Sequence, residues 1–116
     1  PVATQAAGRA FYALHAIDCP LAKRFAHAAY RAYFVAGRDI SDPRVVLEIA
    51  EEVGADRKSL EAAIQTPEGK KTIETATQKA IERGVFGSPF VFVDEEPFFG
   101  VDRLPQIERW LETGGF

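Results

Sequence analysis

The first candidate for ligand chemistry is the dipeptide Ser88-Pro89, which follows a glycine and precedes a run of apolar residues. Proline is the one residue that takes a cis peptide bond at low cost, and it has no N–H to give to a strand ladder. The backbone of Ser88 is then available for strand-like hydrogen bonds to an extended ligand. The residue pattern alone favours the simpler alternative, a trans proline that begins a strand.

Asp102 is the second candidate, because it precedes an amphipathic segment and is predicted to be the N-cap of the last helix. The N–H groups of a helix N-terminus attract anions, and an acidic cap beside them can bind an ammonium group. An amino-acid-like ligand end carries both charges. Without further context, a role in capping alone is the simpler interpretation.

Other residues with reactive or metal-binding side chains give weaker signals. Cys19 is the single cysteine, so no internal disulfide can form, and a reducing, cytoplasmic setting is the simplest expectation. Cys19-Pro20 begins like a redox motif, but the second cysteine is absent and a helix precedes it, so we predict a structural thiol. His15 and His27 lie within predicted helices without partners at metal-ligand spacing, and no metal site is predicted.

Five helices are predicted before these motifs, from apolar residues at helical spacing and from start and stop signals. Asp42-Pro43 and Thr66-Pro67 are start signals, whereas Gly54 and Gly84 suit helix ends. Tyr30, Tyr33 and Phe34 widen the apolar surface of the second helix and predict a central position for it. The predicted segments are 4–17, 20–37, 43–54, a short helix capped by Asp56 with Leu60, Ala63 and Ile64, and 67–83 with a stripe of Ile73, Ala76, Ala80 and Ile81.

The period then changes from helical to extended. Residues 90–93, Phe-Val-Phe-Val, predict a strand that is buried on both faces. Residues 94–97 predict a turn, and Phe98-Phe99 a short returning strand. The last helix is predicted to bury Leu104, Ile107, Trp110 and Leu111.

A two-stranded hairpin alone is marginally stable in water, so this one is expected to complete a larger sheet. The sequence thus predicts a helical domain over residues 1–83 and a β-β-α unit over residues 84–116. Core packing is the favoured role of the phenylalanines, although Phe86 or Phe99 at the edge of an aromatic pocket is an alternative.

Composition limits the classes of partner. The chain has 116 residues and a formal net charge of −3, which gives no electrostatic match to nucleic acid or to an anionic membrane. Its apolar stretches are too short to span a bilayer.

Three segments resemble the C-terminal part of the 2-hydroxychromene-2-carboxylate isomerase family: GVFGSPFVFVD, FFGVDRL and AYFVAGRDISDPRVVLEIAEEVG. That family is similar to kappa-class glutathione transferases and to DsbA-like proteins. The resemblance implies an α/β thioredoxin-like fold with an inserted helical domain. It also implies that the first β-α-β unit precedes Pro1, so that the chain is expected to be a fragment or one part of a split protein.

The resemblance implies glutathione as the cofactor and assigns four residues to it. Pro89 matches the family's cis-proline, and Ser88 the residue whose backbone pairs with the cysteinyl part of glutathione. Asp102 matches the acidic residue that contacts the γ-glutamyl end. Val101 stands where relatives often have a polar residue, which leaves its backbone N–H as the contact. The family's catalytic serine, or cysteine in oxidoreductases, lies upstream, so no catalytic residue is assigned here.

By this resemblance the whole protein is a homodimeric glutathione-dependent isomerase of an aromatic oxo acid, or a kappa-like transferase. The 116-residue segment alone is expected to be inactive. Two alternatives stay open: a DsbA-like thiol–disulfide oxidoreductase, which an upstream Cys-x-x-Cys would favour, and a non-enzymatic helical interaction module.

Overall fold

The computed structural model describes residues 2–115, which form helices, a two-stranded sheet and one 3₁₀ turn. These residues divide into two compact units, between Thr77 and Gln78. The predicted domain boundary after residue 83 stays a prediction. The elements are α1 (Gln5–Ile17), α2 (Cys19–Phe34), α3 (Pro43–Glu52), α4 (Arg57–Gln65), α5 (Pro67–Glu82), β1 (Phe90–Val93), β2 (Glu96–Phe99), the 3₁₀ turn (Val101–Arg103) and α6 (Leu104–Thr113).

Aspartate side chains cap two helix starts, and the sequence analysis predicted the one at Asp42. The Asp18 carboxylate accepts a hydrogen bond from the Leu21 N–H at 3.0 Å and begins α2. Asp42 accepts one from the Arg44 N–H at 2.9 Å and begins α3. Hydrogen bonds from Arg44, first from its side chain and then from its backbone, hold the pKa of Asp42 below its usual value. The chain therefore fixes these two helix starts with local contacts.

Glycines end two of the helices where the sequence predicts it. Gly54 follows α3 with φ +101°, and Gly84 follows α5 with φ +81°. Residues with a Cβ rarely adopt this left-handed region, which is why glycine is suited to the position. The N–H of Gly84 donates to the Ile81 carbonyl at 3.0 Å and closes the last turn of α5.

The core of the first unit lies among α1, α2, α3 and α4. Phe25, Val46 and Ile49 are its largest fully buried side chains. The predicted central position of α2 is confirmed only for the face that carries Phe25. Tyr30 and Phe34 are 66% and 73% exposed, because Tyr30 lies five positions beyond Phe25, about 140° around the helix.

The predicted apolar stripe of α5 is not a buried face in the structure. None of the described α5 side chains is buried, and Ile81 is 61% exposed. The alanines of the stripe are too small to reach far, and Lys, Glu, Thr and Gln side chains make up most of the helix. Within residues 2–115, α5 is a largely solvated helix.

The second unit is built on the hairpin of β1 and β2, which pair antiparallel with Phe90 opposite Phe99. The predicted turn over residues 94–97 is too long. Asp94 and Glu95 alone turn the chain, with φ of +49° and +68°, and Glu96 is already paired with Val93. Two successive positive φ values are typical of a type I′ turn, whose twist matches that of the strands.

Fewer side chains of this unit are buried within the described chain than the sequence predicts. All four residues of β1 are half-buried within the described chain, not buried on both faces. Ile107 of α6 is buried, but Leu104 and Leu111 are 53% and 70% exposed. The α6 face that packs inward is therefore limited to Ile107 and Trp110, which are three positions apart.

Trp110 connects α6 to the hairpin. Its ring meets Phe98 edge-on, with centroids 6.0 Å apart, and its Nε1–H donates to the Asp94 carboxylate at 2.8 Å. Phe98 is the most buried residue of β2. This one side chain thus orients the helix against both the strand and the turn.

We expect Trp110→Phe to destabilise the protein by about 1 kcal/mol, because the aromatic packing largely remains while the hydrogen bond to Asp94 is lost. Urea unfolding of the natural full-length protein measures the change in the free energy of unfolding. Tyr30→Phe, which removes a polar group from an exposed ring, is the control with no expected change. Equal unfolding midpoints for the two variants would contradict a stabilising role for this hydrogen bond.

Candidate ligand-binding site

The Ser88–Pro89 peptide bond is cis, as the family resemblance implied, and the trans alternative that the residue pattern favoured is wrong. Both residues are exposed and come directly before β1. They are the last two residues of the loop that connects α5 to β1.

The hairpin brings the four predicted ligand contacts to one end. The N–H of Gly100 donates to the Pro89 carbonyl at 3.0 Å, which extends the pairing one step beyond Phe90 and Phe99. The next residue, Val101, leaves the strand and begins the 3₁₀ turn. The pairs Ser88-Pro89 and Val101-Asp102 are more than ten positions apart in sequence, but they lie at the same end of β1 and β2.

Asp102 does not cap α6, so that prediction is wrong. It lies inside the 3₁₀ turn, the N-cap of α6 is Arg103, and no side chain caps this helix. The added turn between β2 and α6 moves Asp102 upstream of the capping position. Its carboxylate lies instead against Gly100, where a Cβ would collide with Oδ1. With φ +98°, the backbone of Gly100 lies in the region that favours glycine.

The polar groups at this end of the hairpin are open to a ligand. Among residues 2–115, neither the Ser88 backbone nor the Asp102 carboxylate makes a hydrogen bond or ion pair. Both residues are exposed, and the Val101 side chain is 68% exposed. The arrangement offers an extended ligand one backbone N–H, one carbonyl and one negative charge.

A cleft of about 370 Å³ lies in the same unit, with Phe86, Phe90 and Phe99 among its lining residues. Phe86 is 74% exposed and Phe99 is 43% exposed, so neither is a core residue of the described chain. The Phe99 ring covers Gly87, where a Cβ would come within 2.5 Å of Cε2. Within residues 2–115 the pocket-edge alternative describes Phe86 and Phe99 better, and their packing in the expected larger sheet stays a prediction.

Arg103 and Gln106 also line this cleft, and the sequence analysis did not identify them. The Arg103 Nη1–H donates to Gln106 Oε1 at 2.9 Å. Their spacing of three at the start of a predicted helix, directly after Asp102, is the signal that would have pointed to them.

The weaker candidates are not part of this end of the hairpin. Cys19 is a half-buried free thiol at the first position of α2, and His15 and His27 are exposed on α1 and α2. Within the described chain, no group of three or more His, Cys, Asp or Glu side chains is placed to hold a metal ion. No helix of residues 2–115 has the length and apolar character needed to cross a bilayer.

The helices, the hairpin and the final helix correspond to a known domain class. Residues 1–112 match the DSBA-like thioredoxin domain, and the chain belongs to that family. This confirms the predicted α/β, thioredoxin-like fold. Much of the described chain is helical, and its sheet consists of β1 and β2.

Within that class, the chain is similar to proteins named 2-hydroxychromene-2-carboxylate isomerase, as the sequence motifs predicted. It is 37% identical to one from Sphingobium xenophagum over 99 residues, which cover 85% of this chain and 51% of that protein. It is 37% identical over 61 residues to one from Pseudomonas sp. (strain C18), covering 53% of this chain and 29% of that protein. For one from Pseudomonas putida, the identity is 35% over 60 residues, with coverage of 52% and 30%. The chain spans about half the length, or less, of these relatives.

Proposed function

We propose that this chain supplies the glutathione-binding β-β-α unit of an isomerase acting on an aromatic oxo acid of the 2-hydroxychromene-2-carboxylate type. The observation that carries the proposal is the grouping of Ser88-Pro89 with Val101-Asp102 at one end of the hairpin. Support for the reaction class comes from the name of the Sphingobium xenophagum relative, which is 37% identical over 85% of this chain.

The exposed polar groups fit two parts of glutathione, its central cysteinyl residue and its γ-glutamyl end. In the proposed complex, the Ser88 N–H and C=O pair with the cysteinyl part, as in an added strand. The Asp102 carboxylate binds the ammonium of the γ-glutamyl end, because it is an exposed negative charge at the same end of the hairpin as Ser88. The Val101 backbone N–H donates to the α-carboxylate of the same γ-glutamyl residue, since the valine side chain has no polar atom.

When bound, glutathione supplies the thiolate nucleophile for reversible addition to the substrate double bond. The residues of this chain hold and orient glutathione, and none of them is assigned a role in activating its sulfur. Binding in one defined orientation raises the effective concentration of the reacting groups. The natural protein is proposed to work as a homodimer in the cytoplasm, by its resemblance to the isomerase family.

The natural full-length protein is expected to isomerise 2-hydroxychromene-2-carboxylate at a rate that rises with added glutathione and saturates. The change in ultraviolet absorbance of the substrate measures it. A parallel assay of insulin disulfide reduction tests the oxidoreductase alternative. Disulfide reduction without isomerase activity would replace the proposed function with that alternative, and absence of both activities would favour the interaction module.

A further inference from the structure

We infer that the cleft beside the glutathione site binds an aromatic monocarboxylate, with the carboxylate at Arg103 and the ring against Phe86, Phe90 and Phe99. The inference rests on the proposed function, since it names where the substrate of that same site lies. The cleft volume of about 370 Å³ falls at the small end of ligand pockets, which suits a compact aromatic acid.

Three phenylalanine rings form the apolar part of the cleft. Phe86 lies 4.8 Å from Phe99 and 5.3 Å from Phe90 between ring centroids. Phe90 and Phe99 are 6.2 Å apart across the paired strands. The Phe86 ring is largely exposed. An aromatic ligand that covers it would bury apolar surface and add ring–ring contacts.

Arg103 supplies the positive charge of the cleft. Within residues 2–115 its guanidinium forms no ion pair, and its hydrogen bond goes to the neutral Gln106 side chain. A guanidinium has five N–H donors, so those not used by Gln106 can bind a carboxylate with two parallel hydrogen bonds. Gln106 fixes one edge of the guanidinium and limits the directions in which the other donors point.

Glu96 gives the cleft a direction. It lines the cleft beside the turn, opposite Val93, whereas Phe99 lies at the Arg103 end of β2. The three steps from Glu96 to Phe99 span about 10 Å of strand. A negative charge at the Glu96 end repels a second carboxylate, so the ligand is a monoanion whose charged group lies at Arg103.

The position of the cleft along the chain links it to the glutathione site. Phe86 is two residues before Ser88, and Arg103 directly follows Asp102. An aromatic acid in the cleft therefore lies next to glutathione bound at the end of the hairpin. This is the juxtaposition that reversible addition of a thiolate to an aromatic oxo acid requires.

Cinnamate and its uncharged counterpart cinnamide test the inference in the natural full-length protein, with dissociation constants from calorimetry. Cinnamate is expected to bind more tightly than cinnamide. Arg103→Gln is expected to weaken cinnamate binding about tenfold or more and to leave cinnamide unchanged. Phe86→Ala is expected to weaken both probes, because both use the aromatic wall. Arg109→Gln, an exposed arginine of α6 that does not line the cleft, is the matched control.

An Arg103→Gln variant that binds cinnamate as the unchanged protein does would overturn the inference, as would an equal loss for both probes. Arg103→Lys, which keeps the charge without the planar fork, separates charge from local structure and is expected to retain part of the affinity. The two proposals fail separately. If Arg103→Gln keeps glutathione-dependent activity with an unchanged KM for the aromatic substrate, only the assignment of the cleft is refuted. If the protein lacks that activity, the proposed function is refuted, and the cinnamate titration still tests the cleft.

Discussion

Replacement of Gly69 by alanine is expected to destabilise the helical unit by about 3 kcal/mol. Gly69 lies in the first turn of α5, where its backbone is packed onto the end of α4. A Cβ at this position would overlap the carbonyl oxygen of Ala63 and come within 2.6 Å of its carbonyl carbon. Both are backbone atoms, so no change of rotamer can relieve the collision.

The connection between the two helices leaves little room to adjust. Thr66 alone separates α4 from α5, and its hydroxyl accepts a hydrogen bond from the Gly69 N–H at 3.2 Å. Moving the first turn of α5 away from Ala63 would break this cap. The helices would then have to separate at a corner that also positions Leu60 and Ile64 in the core.

Thermal and urea unfolding of the natural full-length protein measure the effect, and Gly8→Ala is the matched control. Gly8 is also a helical glycine, but its added Cβ would meet the Cδ1 atom of Ile73 at 2.8 Å. The end of a flexible side chain can move, and alanine is favoured over glycine in a helix by about 1 kcal/mol. Gly8→Ala is therefore expected to change stability little. Similar losses in the two variants would contradict the backbone collision at Gly69.

Local signals predicted the helices well because local contacts determine where these helices begin and end. Asp18 and Asp42 cap the residues two or three positions later, and Gly54 and Gly84 take the left-handed conformation that closes a helix. None of these contacts needs a distant partner. The Gly69 contact was not predictable in this way, because it depends on the angle between two helices.

The hairpin turn shows the limit of residue preferences. Asp94 and Glu95 both have positive φ, although glutamate is rarely found there, and the expected four-residue turn is two residues long. The Trp110 hydrogen bond to Asp94 and the Arg83 ion pair with Glu95 both hold this turn. The two-residue turn matches the twist of the paired strands, which the residue preferences of its four positions did not indicate.

The candidate site was predictable residue by residue but not as an arrangement. The family motifs identified Ser88-Pro89 and Val101-Asp102 without their spatial relation, which follows from the register of Phe90 with Phe99. The 3₁₀ turn that carries Asp102 away from the cap is a second feature without a sequence signal. Arg103 was overlooked because a charged residue at a helix start usually belongs to the solvated surface.

Replacement of Asp102 by asparagine is expected to weaken glutathione binding by the natural full-length protein about tenfold or more, and Asp102→Ala at least as much. In the proposed complex the carboxylate forms a charge-assisted hydrogen bond with the γ-glutamyl ammonium. Asparagine keeps the size of the side chain against Gly100 and removes the charge. The loss of affinity in this variant therefore measures the electrostatic part of the binding free energy. Isothermal titration calorimetry gives the dissociation constants.

Glu108→Gln is the matched control, because it removes one exposed carboxylate from α6 and changes the net charge by the same amount. If long-range charge attracted glutathione, the two variants would lose affinity alike, and high salt would abolish the difference from the unchanged protein. A direct contact predicts a loss in Asp102→Asn alone. It further predicts that glutathione acetylated on its amino group binds Asp102→Asn and the unchanged protein equally, since the ammonium is gone. An unaltered dissociation constant for glutathione in Asp102→Ala would remove Asp102 from the proposed site. The backbone of Ser88 would then be the main remaining contact to glutathione.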